Sequence, residues 1–511
     1  MNNVVRRLRP RLVAFAVAAT IVASGCTTLT EVSDRSGENP ADFGFVRYDG
    51  GGPTVSRDGR FAVFLGATNA TDPPGATSGY SQAYRRDNQT GDVVRVSSFA
   101  DGSPAQAFGV AISGDGRYVA FVTWAALVPE DTNAPAGEPN IWGSDVYVRD
   151  MVTGVVTRES LAPNGKQFSS GGGYGIIDPT VSISDDGRFI AFANRFDSHD
   201  AVLYVRRRVA HTTKLVLHAN EQLGGLSGDG LHLAIVPNNG CIRFPLCQPK
   251  DVARILDWQT GASFALGTCS PSFPVALSFD GRFAALSQYD DSDPTCNSGV
   301  WRWDRNGGPP IQVSHDAANA PRQGDRPSIS FDGNRVAFHS LDAIVPEDTN
   351  AFPDVYVADL NAGIVALASA DAFGTAGNGE SNLAWISGGG QYVTFTSSAT
   401  NLIPSPGDDH PDVIMVPAIR PRISLIQADS GTRGRTIDVT ALGSGIAQNS
   451  AAAIDGTGVA VTNVRVVTST TVILTVTIAS DASTGPRNLT IVNPGAYGSA
   501  AAWCFGCFTV T

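Results

Sequence analysis

A hexapeptide that occurs twice carries the residues best suited to binding a metal. Val-Pro-Glu-Asp-Thr-Asn occupies 128–133 and again 345–350. Its oxygen-bearing side chains alternate as in part of a calcium loop, which makes weak calcium candidates of Asp131, Asn133, Asp348, Asn350 and Asp354. The bidentate acid that completes such a loop is missing. Turn-capping Asp and Asn side chains explain the hexapeptide equally well, so we assign no metal site and expect no cofactor.

The pattern of the N-terminal residues predicts export from the cytoplasm and a lipid anchor. Arginines at 6, 7, 9 and 11 precede the apolar run 12–23. As a helix this run spans about 18 Å, too short for a hydrocarbon core of about 30 Å, so residues 1–25 are predicted to be a signal peptide. The run ends Val22-Ala23-Ser24-Gly25-Cys26, which resembles a bacterial lipobox, although alanine stands where leucine is commoner. The resemblance implies cleavage before Cys26 and lipidation of its thiol. An ordinary signal peptide is the alternative.

The remaining cysteines predict disulfides. With Cys26 set aside, six are left, an even number that suits an oxidising compartment. Sequence proximity favours the pairs Cys241–Cys247, Cys269–Cys296 and Cys504–Cys507. The last pair forms a Cys-x-x-Cys motif, which in redox enzymes stands at a helix N-terminus. Its place near the end of a strand-rich segment favours a structural hairpin bridge instead.

No catalytic residues are predicted. The chain has no Gly-x-Ser-x-Gly, His-Glu-x-x-His or Gly-x-x-x-x-Gly-Lys segment, and its seven histidines are scattered without ligand spacing. Exposed tryptophans could stack on sugars, and the candidates are Trp124, Trp142, Trp258, Trp301 and Trp303. Burial in the core is the commoner fate of such residues.

The elements that position these residues belong to a sequence repeat. Ser-x-Asp-Gly occurs six times, beginning at residues 56, 113, 184, 227, 278 and 330, and a seventh copy at 387 has lost its Asp. Ser and Asp bond nearby amides and Gly accepts the positive φ of a tight turn. An apolar strand follows each turn, as in Phe61–Phe64, and further strands such as Asp145–Arg149 and Asp354–Val357 follow a variable loop. Four short antiparallel strands per repeat are therefore predicted.

These residues resemble a known family, the TolB-like, WD-type β-propeller repeats of bacterial envelope proteins. The resemblance covers 45–417 and implies a seven-bladed β-propeller over 26–419. TolB has an additional N-terminal domain for which this chain has no room, so TolB's own role is not carried over. The seventh repeat lacks a fourth strand, and 29–33 matches 93–97. Residues 28–33 are therefore predicted to supply the outer strand of the last blade, with a disordered linker as the alternative.

The C-terminal segment 420–511 loses the repeat and becomes rich in Thr, Val and Ser. Alternating strands such as Thr436–Thr440, Val472–Thr477 and Asn488–Val492 suit a small β-sandwich. Its glycine pattern and the run 485–494 resemble IPT/TIG-like immunoglobulin domains. That resemblance implies a spacer or adhesion module. The predicted fold class is thus all-β, a seven-bladed propeller followed by a β-sandwich.

Charge and composition narrow the function. A net charge of −12 argues against nucleic-acid binding. We expect a lipid-anchored, extracytoplasmic protein of the cell envelope that binds an envelope protein or a glycan through blade loops and the channel mouth, without catalysis and without nucleic acid. The alternatives are a polysaccharide-active lyase or hydrolase, a glycan-binding propeller, and a purely structural envelope protein.

Overall fold

A computed structural model describes residues 30–32, 54–67, 81–132, 144–168, 181–195, 201–219, 221–237, 252–267, 271–288, 298–371, 373–403, 411–497 and 499–511. Two compact units are present: Leu29–Ala418 is one, and Ile419–Thr511 belongs to the other. In the described residues all regular structure is β-strand. The signal peptide, Cys26 and the pairs Cys241–Cys247 and Cys269–Cys296 lie outside the described residues.

The first unit contains seven antiparallel four-stranded sheets in its described part. Its first strand is β1 (Thr30–Glu31). Sheets 1 to 3 consist of β2 (Thr54–Val55), β3 (Phe61–Ala67), β4 (Ser81–Asp87), β5 (Val93–Arg95); β6 (Gly109–Ile112), β7 (Tyr118–Thr123), β8 (Asp145–Asp150), β9 (Val156–Arg158); and β10 (Val181–Ile183), β11 (Phe189–Arg195), β12 (Ala201–Arg207), β13 (Thr212–Ala219).

Sheets 4 to 6 continue in chain order, and sheet 7 combines three late strands with β1. The strands are β14 (Glu221–Leu226), β15 (His232–Pro237), β16 (Ala253–Asp257), β17 (Ser263–Leu266); β18 (Pro271–Leu277), β19 (Phe283–Gln288), β20 (Gly299–Asp304), β21 (Ile311–Gln312); β22 (Asp325–Ile329), β23 (Arg335–Ser340), β24 (Asp354–Asp359), β25 (Ile364–Leu367); and β26 (Ser381–Ile386), β27 (Tyr392–Ser397), β28 (Asp412–Pro417).

The repeated tetrapeptide forms the turn between the first and second strand of each sheet. In sheet 1, Ser56 Oγ donates to Asp58 and accepts the N–H of Phe61 at 2.9 Å, while Gly59 has φ of +85°. Sheet 7 lacks the Asp but keeps the turn, because Ser387 Oγ accepts the N–H of Tyr392 and Gly390 has φ of +74°. The serine and the glycine are therefore sufficient for this turn.

Packing between neighbouring sheets uses the same turns. In the turns of sheets 1 to 6, a Cβ on the glycine would clash with the first side chain of the preceding sheet's second strand, as Gly116 with Phe61 and Gly187 with Tyr118; at Gly390 of sheet 7 the corresponding Arg335 lies 3.3 Å away. The same contact joins the first sheet to the last, because Gly59 of sheet 1 packs against Tyr392 of sheet 7. Neighbouring first strands are likewise in contact all the way round. The seven sheets therefore form a closed ring.

Strand β1 completes sheet 7. Thr30 pairs with Met415 and Glu31 with Ile414, and the N–H of Val32 donates to the carbonyl of Val413 at 2.7 Å. Val32 is fully buried. Of the predicted segment 28–33, residues 30–32 are described, and they occupy the outer position of this sheet.

The second unit contains two four-stranded sheets in the described residues. Their orders are β29-β31-β34-β33 and β30-β36-β35-β32, with β29 (Arg422–Gln427), β30 (Ser430–Gly431), β31 (Thr436–Ser444), β32 (Ala451–Ile454), β33 (Val459–Thr468), β34 (Thr471–Ile478), β35 (Gly485–Asn493) and β36 (Ala500–Val510). Side chains of both sheets share one buried apolar cluster that includes Val439, Leu474, Leu489 and Phe508. In the part of the chain that the structure describes, no helix could span a membrane.

Candidate functional site

The first strands of all seven sheets surround a central channel. The channel holds a cavity of about 300 Å³, lined by residues of β2, β6, β10, β14, β18, β22 and β26 and of the turns that follow them. Its walls are mostly apolar, as with Val110, Val181 and Leu226. A cavity of this volume lies at the small end of the range for small-molecule sites.

One end of the channel is formed by the variable residue of each Ser-x-Asp-Gly turn. The backbone amides of these turns form a closed ring of hydrogen bonds with N–O distances of 2.8–3.0 Å. In order, the bonds run from Arg57 to Gly114, Gly114 to Asp185, Asp185 to Gly228, Asp229 to Phe279, Phe279 to Phe331, Phe331 to Gly388 and Gly389 to Arg57. Each bond joins neighbouring sheets, so this mouth has a rigid backbone frame.

Side chains lie across this mouth. Arg57 of sheet 1 forms an ion pair with Asp185 of sheet 3, and its guanidinium carbon lies 5.6 Å from the centroid of the Phe331 ring of sheet 6. The Phe279 and Phe331 rings are 5.4 Å apart. We call Arg57, Asp185, Phe279 and Phe331 the mouth cluster.

The three glycines of the mouth leave room for this cluster. A Cβ at Gly228 would lie 2.6 Å from Phe279, one at Gly388 would lie 2.6 Å from Phe331, and one at Gly114 would overlap Asp185. Each glycine therefore lies beneath the side chain of a neighbouring sheet, and a larger residue would displace that side chain.

Farther from the turns, the channel wall is irregular. The first strands of sheets 4 to 7 each contain a register shift against the second strand. Arg326 in sheet 6 and Leu383 in sheet 7 have φ of +48° and +54°, a region that residues other than glycine rarely adopt. Trp385 also lines the channel and is 37% exposed. Strained backbone of this kind persists where the surroundings impose it, often at binding sites.

The calcium candidates of sheet 2 contact protein groups. Asp131 is buried; its Oδ2 accepts the hydroxyl of Tyr147, and its Oδ1 lies 3.2 Å from a guanidinium nitrogen of Arg158. Burial and the bond to Asp131 raise the pKa of Tyr147 above its ordinary value. Asn133 lies outside the described residues.

Sheet 6 has the same arrangement without the arginine. Asp348 accepts the hydroxyl of Tyr356, and Asp354 accepts from Ser369 and from the amide nitrogen of Asn350, the latter at 2.7 Å. Leu367 pairs with Tyr356 where Arg158 pairs with Tyr147. Burial raises the pKa of Asp354 to about 6, the hydrogen bonds from Ser369 and Asn350 oppose that rise, and the charge of Asp348 adds to it.

No group of three or more His, Cys, Asp or Glu side chains in the described residues is arranged to hold a metal ion. In both hexapeptides the described Asp side chains bind a tyrosine hydroxyl, so they are occupied by the protein's own donors.

The structure contains a disulfide between Cys504 and Cys507. The prediction of a hairpin is wrong for this bridge, because both cysteines lie within β36. Arg487 pairs with Phe508 and Leu489 with Cys504, so three residues of β36 face Asn488 alone. The bridge closes a bulge whose Gly506 N–H donates to Asn488 Oδ1 at 2.7 Å.

The tryptophans differ in exposure. Trp258, a sugar-stacking candidate, is only 2% exposed, and its indole N–H donates to the carbonyl of Gly230. Trp303 packs against a core cluster, Trp124 lies 4.6 Å from the ring of Phe108, and Trp301 pairs with Leu286 inside sheet 5. Trp142 lies outside the described residues. Core packing, the alternative given by the sequence, therefore applies to Trp258 and Trp303.

Sequence reasoning did not single out Arg57, Asp185, Arg326 or Trp385. A usable signal was present for the first two: in an otherwise constant turn, one position varies among Arg, Gly, Asp and Phe. A variable position on a fixed frame is where a repeat protein places specificity. No comparable signal marks Arg326 or Trp385, because their place depends on irregular strand pairing.

A closed ring of four-stranded antiparallel sheets around a channel is the β-propeller architecture. No protein-family model and no curated protein matches the chain. Solved structures resemble it at low identity. The β-propeller domain of the Trilobed protease from Pyrococcus furiosus is 11% identical, with a TM-score of 0.47, over 73% of this chain and 93% of that one.

Two further structures are similar at the same level. TolB from Acinetobacter baumannii is 13% identical, with a TM-score of 0.34, over 71% of this chain and 64% of that chain. An acylaminoacyl peptidase from Pyrococcus horikoshii is 10% identical, with a TM-score of 0.43, over 77% of this chain and 57% of that one.

Proposed function

We propose that this chain is a lipid-anchored, extracytoplasmic binding protein of the cell envelope. The seven sheets are the blades of its propeller, the second unit is an immunoglobulin-like β-sandwich that serves as a spacer, and Cys26 carries the lipid. The propeller holds a partner by recognition, without turnover. Seven four-stranded sheets in the first unit and two sheets with a shared core in the second support this assignment.

The mouth cluster is the observation that carries the proposal. It presents an arginine whose side chain is 53% exposed and a phenylalanine that is 39% exposed. Arginine and aromatic side chains are enriched at protein interfaces, and arginine supplies a large share of binding hot spots. The hydrogen-bonded ring of turns beneath them holds the backbone in place before a partner arrives, which lowers the entropic cost of binding.

A glycan is the second candidate partner, favoured by an aromatic pair in the second unit. The rings of Trp503 and Phe505 are nearly parallel, at 7°, with centroids 6.2 Å apart, and Phe505 is 68% exposed. The disulfide of Cys504 and Cys507 constrains the bulge that carries Phe505. Exposed aromatic faces offer an apolar surface on which sugar rings stack.

Site-specific photocrosslinking in the native envelope tests the first candidate. A photoreactive residue replaces Phe279, and the matched control replaces Phe373, which is 70% exposed in the turn after β25. We expect a discrete protein adduct from position 279, lost on Arg57→Glu, and none from position 373. Equal labelling from both positions, or no adduct from 279, contradicts the proposal. An adduct of glycan mass, lost on Phe505→Ala, favours the second candidate.

The anchor has its own test. Cys26→Ser removes the thiol that would carry the lipid, so we expect the chain to move from the membrane fraction to the soluble fraction. Cys507→Ser, at a cysteine of the disulfide, is the control and leaves the membrane fraction unchanged. Retention of the Cys26→Ser variant on the membrane contradicts lipid anchoring.

A further inference from the structure

We propose that one end of the ring lies on the lipid surface of the membrane that carries the anchor. This end, which we call the turn face, consists of the seven Ser-x-Asp-Gly turns and of the turns between the third and fourth strands of sheets 1 to 6. The inference rests on the lipid proposed at Cys26 and adds to it which side of the ring meets the bilayer. The mouth cluster belongs to the turn face, so its protein partner belongs to the same membrane.

The direction of β1 shows at which end of the ring the anchor segment joins it. Tyr392, the first residue of β27 after the turn of sheet 7, pairs with Pro417, and Thr30 pairs with Met415 two residues before it. The N–H of Val32 binds β28 still farther from the turn. The chain therefore enters β1 from the turn face.

Little chain separates the anchor from this end. Cys26 precedes Thr30 by four residues. Four residues span at most ~14 Å when they are fully extended. Because β1 is the outermost strand of sheet 7, the lipid is tied to the outer edge of this sheet by a short tether that joins it from the turn face.

The turn face is built from short connections. Its turns between third and fourth strands occupy 88–92, 151–155, 208–211, 258–262, 305–310 and 360–363. The connections at the opposite end are longer, as with 124–144 between β7 and β8 and 341–353 between β23 and β24. An end without long loops suits contact with a planar surface.

Exposed apolar side chains on the turn face lie on sheets away from the anchor. Val152, in the turn after β8 of sheet 2, is 74% exposed, and Val209, in the turn after β12 of sheet 3, is 76% exposed. Single exposed valines are common, so their exposure alone indicates nothing. Together with the anchor at sheet 7, however, they give the ring separate lipid contacts on three sheets, and these hold the turn face flat against the bilayer.

Charges on the turn face are paired within it. In sheets 1, 2, 5 and 6, an arginine at the start of the second strand or just before it forms an ion pair with the last aspartate of the third strand. These pairs are Arg60–Asp87, Arg117–Asp150, Arg282–Asp304 and Arg335–Asp359. The whole chain carries −12, which an anionic lipid surface repels. The pairing reduces this repulsion at the turn face.

Photocrosslinking to lipid tests the orientation. The full chain is purified from membranes and reconstituted in vesicles of phosphatidylcholine and phosphatidylglycerol. A photoreactive residue replaces Val209, and the matched control replaces Leu341, which is 65% exposed and follows β23 at the opposite end of the ring. We expect severalfold more phospholipid adduct from position 209 than from position 341. Equal yields, or more adduct from 341, overturn the orientation.

Two variants test the causes of the orientation, with the probe kept at position 209. An insertion of 20 Gly and Ser residues between Thr28 and Leu29 lengthens the tether by a root-mean-square distance of ~25 Å. We expect the chain to stay on the vesicles while the lipid adduct falls severalfold, and an unchanged yield contradicts the role of the tether. Val152→Asp puts a charge on the neighbouring sheet and should also lower the yield severalfold, whereas Leu341→Asp should not. Equal yields from these two variants contradict lipid contact at the turn face.

The outcomes separate this inference from the proposed function. A chain that does not bind the vesicles overturns both the lipid anchor and the orientation. A chain that binds them without a lipid adduct from position 209 keeps the anchor and overturns the orientation. The protein adduct at position 279 is measured separately in the native envelope, so its absence rejects the protein partner while a lipid adduct from 209 still supports the orientation.

Discussion

Sheets 2 and 6 carry the same hexapeptide, but its buried aspartate has different partners in the two sheets. Asp131 and Asp348 both accept a tyrosine hydroxyl from the third strand of their sheet. In sheet 2, Arg158 of the fourth strand also lies 3.2 Å from Asp131, with only 7% of its side chain exposed. In sheet 6, Leu367 takes the place of that arginine, and the second acid of the group, Asp354, has its pKa raised to about 6.

The difference between the two sheets shows which contacts of the aspartate the hexapeptide determines and which depend on residues elsewhere in the sheet. The hexapeptide and the following Asp-Val-Tyr-Val place the same donor and acceptor together in both sheets. The residue on the fourth strand, more than ten positions downstream of the tyrosine, decides whether the buried charge is balanced by a cation. In sheet 6 the pKa of Asp354 is raised to about 6 instead, mainly by burial, so this carboxyl takes up a proton at higher pH than a free aspartate does.

The largest expected effect comes from removing the cation of sheet 2. Arg158→Leu gives sheet 2 the residue of sheet 6 and leaves Asp131 buried beside an apolar side chain. The free energy of unfolding should fall by about 3–5 kcal/mol, as when one partner of a buried ion pair is lost. Chemical denaturation measures it. The double variant Arg158→Leu with Asp131→Asn should recover part of the loss, and a loss below about 1 kcal/mol in the single variant contradicts the role of the arginine.

The tyrosine hydroxyls should differ between the two sheets. Tyr147→Phe leaves Asp131 with Arg158, whereas Tyr356→Phe leaves Asp348 with the N–H of Asn350 at 3.3 Å. We expect the free energy of unfolding to fall by about 1 kcal/mol in Tyr147→Phe and by about 2 kcal/mol or more in Tyr356→Phe. The second loss is larger because, in the described residues, Asp348 has no arginine beside it to take over when the hydroxyl is removed. Denaturation of both variants side by side measures the difference. Equal losses of unfolding free energy in the two variants contradict the idea that Arg158 makes sheet 2 less dependent on its tyrosine.

The smallest expected effect concerns pH. The pKa of Asp354 is about 6 in the folded chain and about 3.9 in an unfolded one. Between these values the folded state binds more protons, so this residue's contribution to stability is full below about pH 4 and is lost as the pH rises through about 6. Asp354→Asn should therefore gain about 1 kcal/mol over the native chain at pH 7.5 and show no gain at pH 4.

Stability measured from pH 4 to 8 in both chains gives the difference curve for this prediction. Ser369→Ala is the second variant, because Ser369 donates to Asp354 and favours its ionised form. Its loss should move the midpoint of the curve to higher pH. If the difference in unfolding free energy between the native chain and Asp354→Asn does not change with pH, Asp354 is not the group that titrates.

Much of the fold was predictable from local patterns. The turn serines and glycines recur at fixed places, and the seventh turn survives without its Asp because the serine hydroxyl and the positive φ of Gly390 remain. The four-strand repeat and the all-β character follow from these turns and the apolar runs between them. The placement of Thr30–Glu31 beside β28 follows the match of 29–33 with 93–97.

Other features depended on contacts between distant residues. Trp258 reads as a candidate sugar platform in the sequence, but the structure encloses it among buried residues of sheets 3 and 4. The aspartates of the two hexapeptides are weak calcium candidates in the sequence, with turn capping as an equal explanation; in the structure each accepts the hydroxyl of a tyrosine from the third strand of its sheet. Cys504 and Cys507 close a bulge inside one strand, which only the pairing with β35 reveals.

The sequence by itself determined the repeat, its turns and its strands, because these depend on residues within a few positions of one another. Tertiary structure alone decided the chemistry at the axis. Arg57, Asp185 and Phe331 belong to three separate sheets and meet only because the ring closes. Arg326 and Leu383 reach the channel through strained backbone that the register of neighbouring strands imposes. Side-chain identity sets what these residues can do, and ring closure sets where they do it.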